Sequence, residues 1–240
     1  MKVQYFGDVN DYRKFALLRL LARDAELKIG VCWMMTEPDE RSDGNLRGYL
    51  RQPERWRQLD PDVFDALSKV SSPPSVADLS RVENEGIISS AIFFSDSAPD
   101  ELAKRTEFHN RCMLSLSETE LVFFDPDNGL EVPSFKKGSK QSNKYAFYNE
   151  IVDHFERGKS ILVYQHFPRK PRTTFIREVC SKASSIVANS RLWSLETPYA
   201  AFLIIAHKDH SDRIAKAVEF IEQNWVPEFF KGVKAFAPGG

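Results

Sequence analysis

Six apolar runs, each bounded by polar or turn-forming residues, punctuate the chain and predict strands. They occupy residues 28–35 (KIGVCWMM), 87–95 (IISSAIFFS), 120–124 (ELVFF), 160–165 (SILVYQ), 192–195 and 200–206 (AAFLIIA). The middle runs are almost continuous in Val, Ile, Leu and Phe, as in strands covered on both faces. Between the runs, apolar positions recur with helical spacing. Phe15, Leu18, Leu21 and Ala22 share one face of a helix that Asn10 or Asp11 can cap. Asp60-Pro61 reads as an N-cap followed by proline at the first helical position, with Val63, Phe64, Leu67 and Val70 facing inward. A third helix starts near Ser97 and Pro99 and runs to Leu116. A fourth carries Tyr148, Ile151, Val152 and Phe155, and two more cover residues 174–188 and 211–225.

Strands alternating with helices predict an α/β fold, a Rossmann-like and mostly parallel sheet with helices on both faces. The short link Glu196-Thr197-Pro198-Tyr199 makes the last two strands an antiparallel pair. The whole chain, residues 1–240, reads as one domain. Residues 37–84 form a helical insertion and connection after the first strand, of which 71–84 reads as a surface link. The tail, residues 231–240, reads as loose.

Composition adds exclusions. A chain of 240 residues with 42% hydrophobic content can bury one sizeable core. No run approaches the roughly 18–20 apolar residues that span a bilayer. The segment MKVQYFGDVNDYRK lacks the apolar stretch of a secretory signal, so a cytoplasmic location is expected. Cys32, Cys112 and Cys180 are scattered, which argues against a disulfide framework and against a CxxC zinc site. Charge is uneven. Residues 136–182 hold 11 Lys+Arg against 4 Asp+Glu, leaving 22 against 30 in the remainder. A basic segment on an otherwise acidic chain suits nucleic acid as a partner, and it equally suits solvated helix faces.

The candidate chemistry gathers at strand ends. The run ending at Phe124 passes into Asp125-Pro126-Asp127-Asn128-Gly129, and in an open α/β sheet the ligand crevice lies outside the carboxyl ends of the strands. Two close carboxylates there can also hold a divalent cation; a solvent-facing Asx turn is the plainer alternative. If the next strand is a neighbour, His166 borders the same crevice and can act as acid or base. Arg169, Lys170 and Arg172 follow it and can clamp phosphate. At the N-terminus, Asp8, Asn10 and Asp11 are either helix caps or part of an anion-binding helix start.

The order of these pieces resembles the ribosomal-RNA adenine-N6 methyltransferase J (RlmJ-like) family. Gly7-Asp8-Val9-Asn10-Asp11-Tyr12-Arg13-Lys14-Phe15 is similar to that family's GNHADVLKH-type segment at Gly7, Asp11 and Lys14. Asp96 stands where the family has a ribose-binding acid, and Asp125-Pro126-Asp127-Asn128 where it has the catalytic Asp-Pro-Pro-Tyr. The chain departs from the family in two places. The family's glycine-rich first loop is here Met35-Thr36-Glu37-Pro38-Asp39-Glu40-Arg41-Ser42-Asp43-Gly44, and the tetrad lacks its second proline and its base-stacking tyrosine. The resemblance implies an S-adenosylmethionine-dependent methyltransferase fold acting on nucleic acid. It places Gly7, Asp11, Lys14, Thr36 and Asp96 around the cofactor, and Asp125 to Asn128 with His166 at the reacting centre. A metal-dependent nuclease is the alternative expectation, with Mg²⁺ or Mn²⁺ on Asp125 and Asp127, assisted by Asp8 or Glu131, and with His166 activating water. The third is a non-catalytic nucleic-acid or partner-binding module on the same fold.

Overall fold

The computed structural model describes residues 1–38 and 46–236. Its centre is a seven-stranded sheet built from β1 (Ile29–Cys32), β2 (Ile92–Phe94), β3 (Leu121–Phe124), β6 (Ser160–His166), β7 (Arg191–Glu196), β8 (Ala200–Ala206) and β9 (Gly232–Phe236). The strand order is β2-β1-β3-β6-β8-β7-β9. The first four are mutually parallel. β8 runs antiparallel to both β6 and β7, and β9 antiparallel to β7, so five of the seven strands point one way. A small second sheet pairs β4 (Gly129–Leu130) with β5 (Tyr145–Ala146).

The helices are α1 (Val9–Arg23), α2 (Pro53–Trp56), α3 (Pro61–Ser68), α4 (Val76–Asn84), α5 (Leu102–Ser115), α6 (Tyr148–Phe155), α7 (Arg172–Ile186) and α8 (Ser211–Asn224). Strand alternation sorts them onto two faces. Leu121, Phe123, Leu162 and Tyr164 pack with Phe15, Leu18, Val63 and Ile214 of α1, α3 and α8. Val122, Phe124, Ile161 and Val163 pack with Phe108, Ile151, Phe175 and Val179 of α5, α6 and α7. The predicted architecture is therefore present, including the antiparallel pair near the C-terminus and helices between β1 and β2. Among the described residues no helix is long and apolar enough to cross a membrane.

Four local expectations are corrected. The 87–95 run forms a strand only over Ile92–Phe94, because a turn with Ser90 at φ +55° precedes it. The link 71–84 contains α4, nucleated by a capping box between Ser75 and Asp78 and anchored by buried Leu79 and Val82. The cap of α1 is Asp8, whose carboxylate accepts the backbone N–H groups of Asn10 and Asp11. The tail is ordered over Gly232–Phe236, which pairs with β7 as an edge strand; residues 237–240 lie outside the described residues.

Beneath α5 and α6, the Arg105 guanidinium makes a bidentate pair with Glu150 at 2.8 Å on both arms, and both residues are buried. Burial alone would raise the Glu150 pKa. The hydrogen bonds and charge of Arg105, with Lys137, outweigh it and bring the carboxyl down to about 2. Its contribution is complete above the ordinary value of 4.5 and is lost as pH falls through about 2. Glu150→Gln strands the buried guanidinium and is expected to cost about 3–5 kcal/mol in chemical denaturation at pH 7. An unchanged midpoint would show the pair to be dispensable.

Candidate active site at the sheet switch point

The chain leaves β1 toward β2 on one side and later returns to add β3 on the other. The carboxyl ends of β1 and β3 therefore flank a topological switch point. β3 ends in Asp125, whose N–H continues the ladder to Cys32 O at 3.1 Å. Its carboxylate is 1% exposed and takes the Lys14 ammonium at 2.9 Å; the same ammonium reaches Asp11 at 2.9 Å. Burial raises the Asp125 pKa, opposed by Lys14. For Lys14, burial would lower the pKa, but Asp11 and Asp125 drive it well above the usual lysine range. Lys14 also lies 4.3 Å from the centre of the Tyr164 ring. Gly7 stands at φ +86° and donates its N–H to the other Asp11 oxygen at 2.9 Å.

Asp127 is held from the opposite side. Thr36 Oγ1 donates to it at 2.8 Å, and the α-ammonium of Met1 lies 3.3 Å away. That ammonium also donates to the carbonyls of Trp33, Met34 and Asp125 at 3.0, 3.0 and 2.8 Å. Three carbonyl oxygens from the ends of two adjacent parallel strands thus converge on one cation.

The parallel register of β3 and β6 aligns Phe124 with Val163, which brings His166 to the same rim. Gln165 fixes the turn between them. Its amide accepts Leu130 N at 2.8 Å and donates to Asn128 O at 3.0 Å and His166 O at 2.9 Å. Gly129, at φ +113°, is required here, since a Cβ would fall inside the Gln165 amide. The His166 side chain is exposed at the cavity rim. Partial desolvation by the surrounding protein, then the Lys14 charge, lowers its pKa against the pull of Asp127, so the imidazole is neutral at pH 7.

A cavity of about 480 Å³ opens above these groups. Asp8, Asp11, Lys14, Asp125, Pro126, Asp127, Asn128 and His166 all line it, so the N-terminal segment, the end of β3 and the end of β6 meet in one place. The sequence reading had not picked out Lys2, Tyr5, Lys144, Tyr164 or Tyr199, which also line it, nor Gln165, whose only signal was an amide interrupting an apolar strand. Gly7 and Thr36 support the wall from behind. Asp96 sits beyond β2, two strands from β3, where it is exposed and paired with Arg111 at 3.0 Å. Arg169, Lys170 and Arg172 are exposed after β6 and do not line the cavity; Lys170 pairs with Glu178, and Arg172 lies 5.0 Å over Phe167. Glu131 accepts Tyr148 N at 3.0 Å, at the start of α6. Among the described residues no group of three His, Cys, Asp or Glu side chains is placed to hold a metal ion. Residues 39–45 of the first-strand loop lie outside the described residues.

No protein-family model matches the sequence, and no curated protein matches it. Among solved structures, protein LPL1258 from Legionella pneumophila str. Philadelphia 1, of the DUF519 family, superposes with a TM-score of 0.51 over 98% of each chain at 12% identity. The two chains share a fold.

Two measurements test this geometry. Gly129→Ala is expected to lose about 1–3 kcal/mol of stability by displacing Gln165, read by thermal or urea unfolding; a wild-type melting curve would contradict the packing described. Asp8 is the second. Burial, then Asp11, raises its pKa from 3.8 to about 7, against Lys14 and two backbone N–H groups. The folded protein therefore binds more protons than the unfolded chain between those values, and this group's effect on stability worsens as pH rises through them. Asp8→Asn keeps a capping oxygen and removes that slope. Its unfolding midpoint should fall less from pH 5 to pH 8 than that of the wild type, and parallel profiles would refute the assignment.

Proposed function

We propose that the protein is a nucleic-acid-directed, S-adenosylmethionine-dependent methyltransferase related to the RlmJ-like enzymes, with its reacting centre at Asp125. The observation carrying this reading is the set of converging carbonyls of Trp33, Met34 and Asp125 beside the cavity. They already hold an α-ammonium, that of a methionine, and S-adenosylmethionine carries the same group. These carbonyl acceptors therefore fit an ammonium such as that at the amino-acid end of the cofactor. The bound cofactor supplies an electrophilic methyl on its sulfonium sulfur.

The chain's own contribution is placement and proton handling. The acids Asp8, Asp11, Asp125 and Asp127 line the cavity, and Lys14 steadies Asp11 and Asp125. Carboxylates so placed accept hydrogen bonds from an amine. An exocyclic base amine seated there has its N–H groups oriented by the Asp125 oxygens. Asp8, titrating near neutral pH on the same wall, is suited to take the proton the amine sheds. A metal-dependent nuclease draws less support, because the buried Lys14 ammonium already engages the Asp125 carboxylate that a metal would need.

Calorimetry and thermal shift with S-adenosylmethionine, followed by transfer of labelled methyl to total RNA and denatured DNA, test the proposal. Saturating cofactor is expected to stabilise the fold by about 2–3 kcal/mol at 100 times its Kd. Asp125→Ala should lower transfer by about 10²–10³-fold. No heat and no shift at millimolar cofactor would overturn the reading. Cleavage in Mg²⁺ or Mn²⁺ without methyl incorporation would replace it with the nuclease, and nucleic-acid binding that survives Asp125→Ala with neither activity would replace it with a binding module.

A further inference from the structure

A second cavity, of about 310 Å³, lies beside the first, and Leu46 and Tyr199 line both. The two are therefore neighbours, with the Tyr199 side chain on the border of both. Tyr199 is 50% exposed. The turn itself is rigid: Thr197 Oγ1 accepts the N–H groups of Tyr199 and Ala200 at 3.1 and 2.9 Å. Ala200 is the register partner of His166, so the backbone of Tyr199 is held at the rim of the larger cavity.

The two parts differ in charge balance. The larger cavity is lined by Asp8, Asp11, Asp125 and Asp127 together with Lys2, Lys14, Lys144 and the Met1 ammonium. The smaller one is lined by Arg13, Arg55 and Lys231 and by one acid, Glu228, which accepts two hydrogen bonds from Arg55, with the half-buried indole of Trp56 beside them. The Arg13 and Arg55 guanidinium carbons lie 5.6 and 5.5 Å from the centre of that indole. Cations interleaved with flat aromatic faces track the backbone and bases of a single strand.

We infer that the smaller cavity is the seat of the nucleotide adjoining the target on the same single strand, with Tyr199 stacking on its base and Arg55 and Lys231 holding its phosphate. This rests on reading the larger cavity as the site of the target base.

The test is binding of a fluorescein-labelled single-stranded RNA decamer and its DNA counterpart, followed by anisotropy without cofactor, with duplex of the same sequence as comparison. Tyr199→Ala is expected to weaken single-strand binding about 5- to 150-fold, and Tyr199→Phe to retain it. Lys231→Gln should reduce the salt dependence by about one phosphate contact. Trp56 emission should be quenched on binding, and Trp56→Phe should remove that signal. Wild-type affinity in Tyr199→Ala, or duplex bound better than single strand, overturns the inference even where methyl transfer is found. Tyr199-dependent binding with no response to S-adenosylmethionine upholds the groove and overturns the methyltransferase reading instead. Absence of oligonucleotide binding in the wild type overturns the groove, whatever the cofactor does.

Discussion

The Lys14 ammonium, shared between Asp11 and Asp125, is the interaction on which the site depends. It joins the first helix to the end of a central strand across 111 positions of sequence. Each charge is buried, and each is tolerable only because the others are there. The cluster fixes the wall of the cavity by the same contacts that offset its charge. An apolar substitute for all three would pack, but it would leave a floor unable to grip an amine.

This explains why α1 is a poor amphipathic helix. It buries Asn10, Asp11, Arg13 and Lys14 as well as Phe15 and Leu18. Its first turns face the cavity, and the insertion and the Phe229–Phe230 segment cover what would otherwise be a wet face. Its polar residues lie in a protein interior whose chemistry is theirs to set.

Much of the fold was legible because the β3 and β6 runs are apolar on both faces, and only strands inside a doubly covered sheet read that way. The crevice was legible for a related reason: an apolar run that halts at Asp-Pro has to place its next polar residues at the sheet's carboxyl edge. What could not be read were long-range partners. Nothing in the sequence joins Lys14 to Asp125 or Tyr199 to His166, since both pairings arise from strand order. The short helix α4 was missed although its Ser75–Asp78 box is a local signal, because the two prolines before it suggested a bare link. The strand Gly232–Phe236 was missed because it is an edge strand with no buried residue, so its five positions carry no apolar alternation.

That outermost strand closes one side of the sheet, and the three-residue β2 closes the other. An open strand margin invites a second chain to add itself by backbone pairing. Here one margin is too short to template such growth. The other carries Lys234 mid-strand, tied to Glu196 on its neighbour. The central strands, whose near-continuous apolar character would make them adhesive if bared, are thereby kept from recruiting copies of themselves.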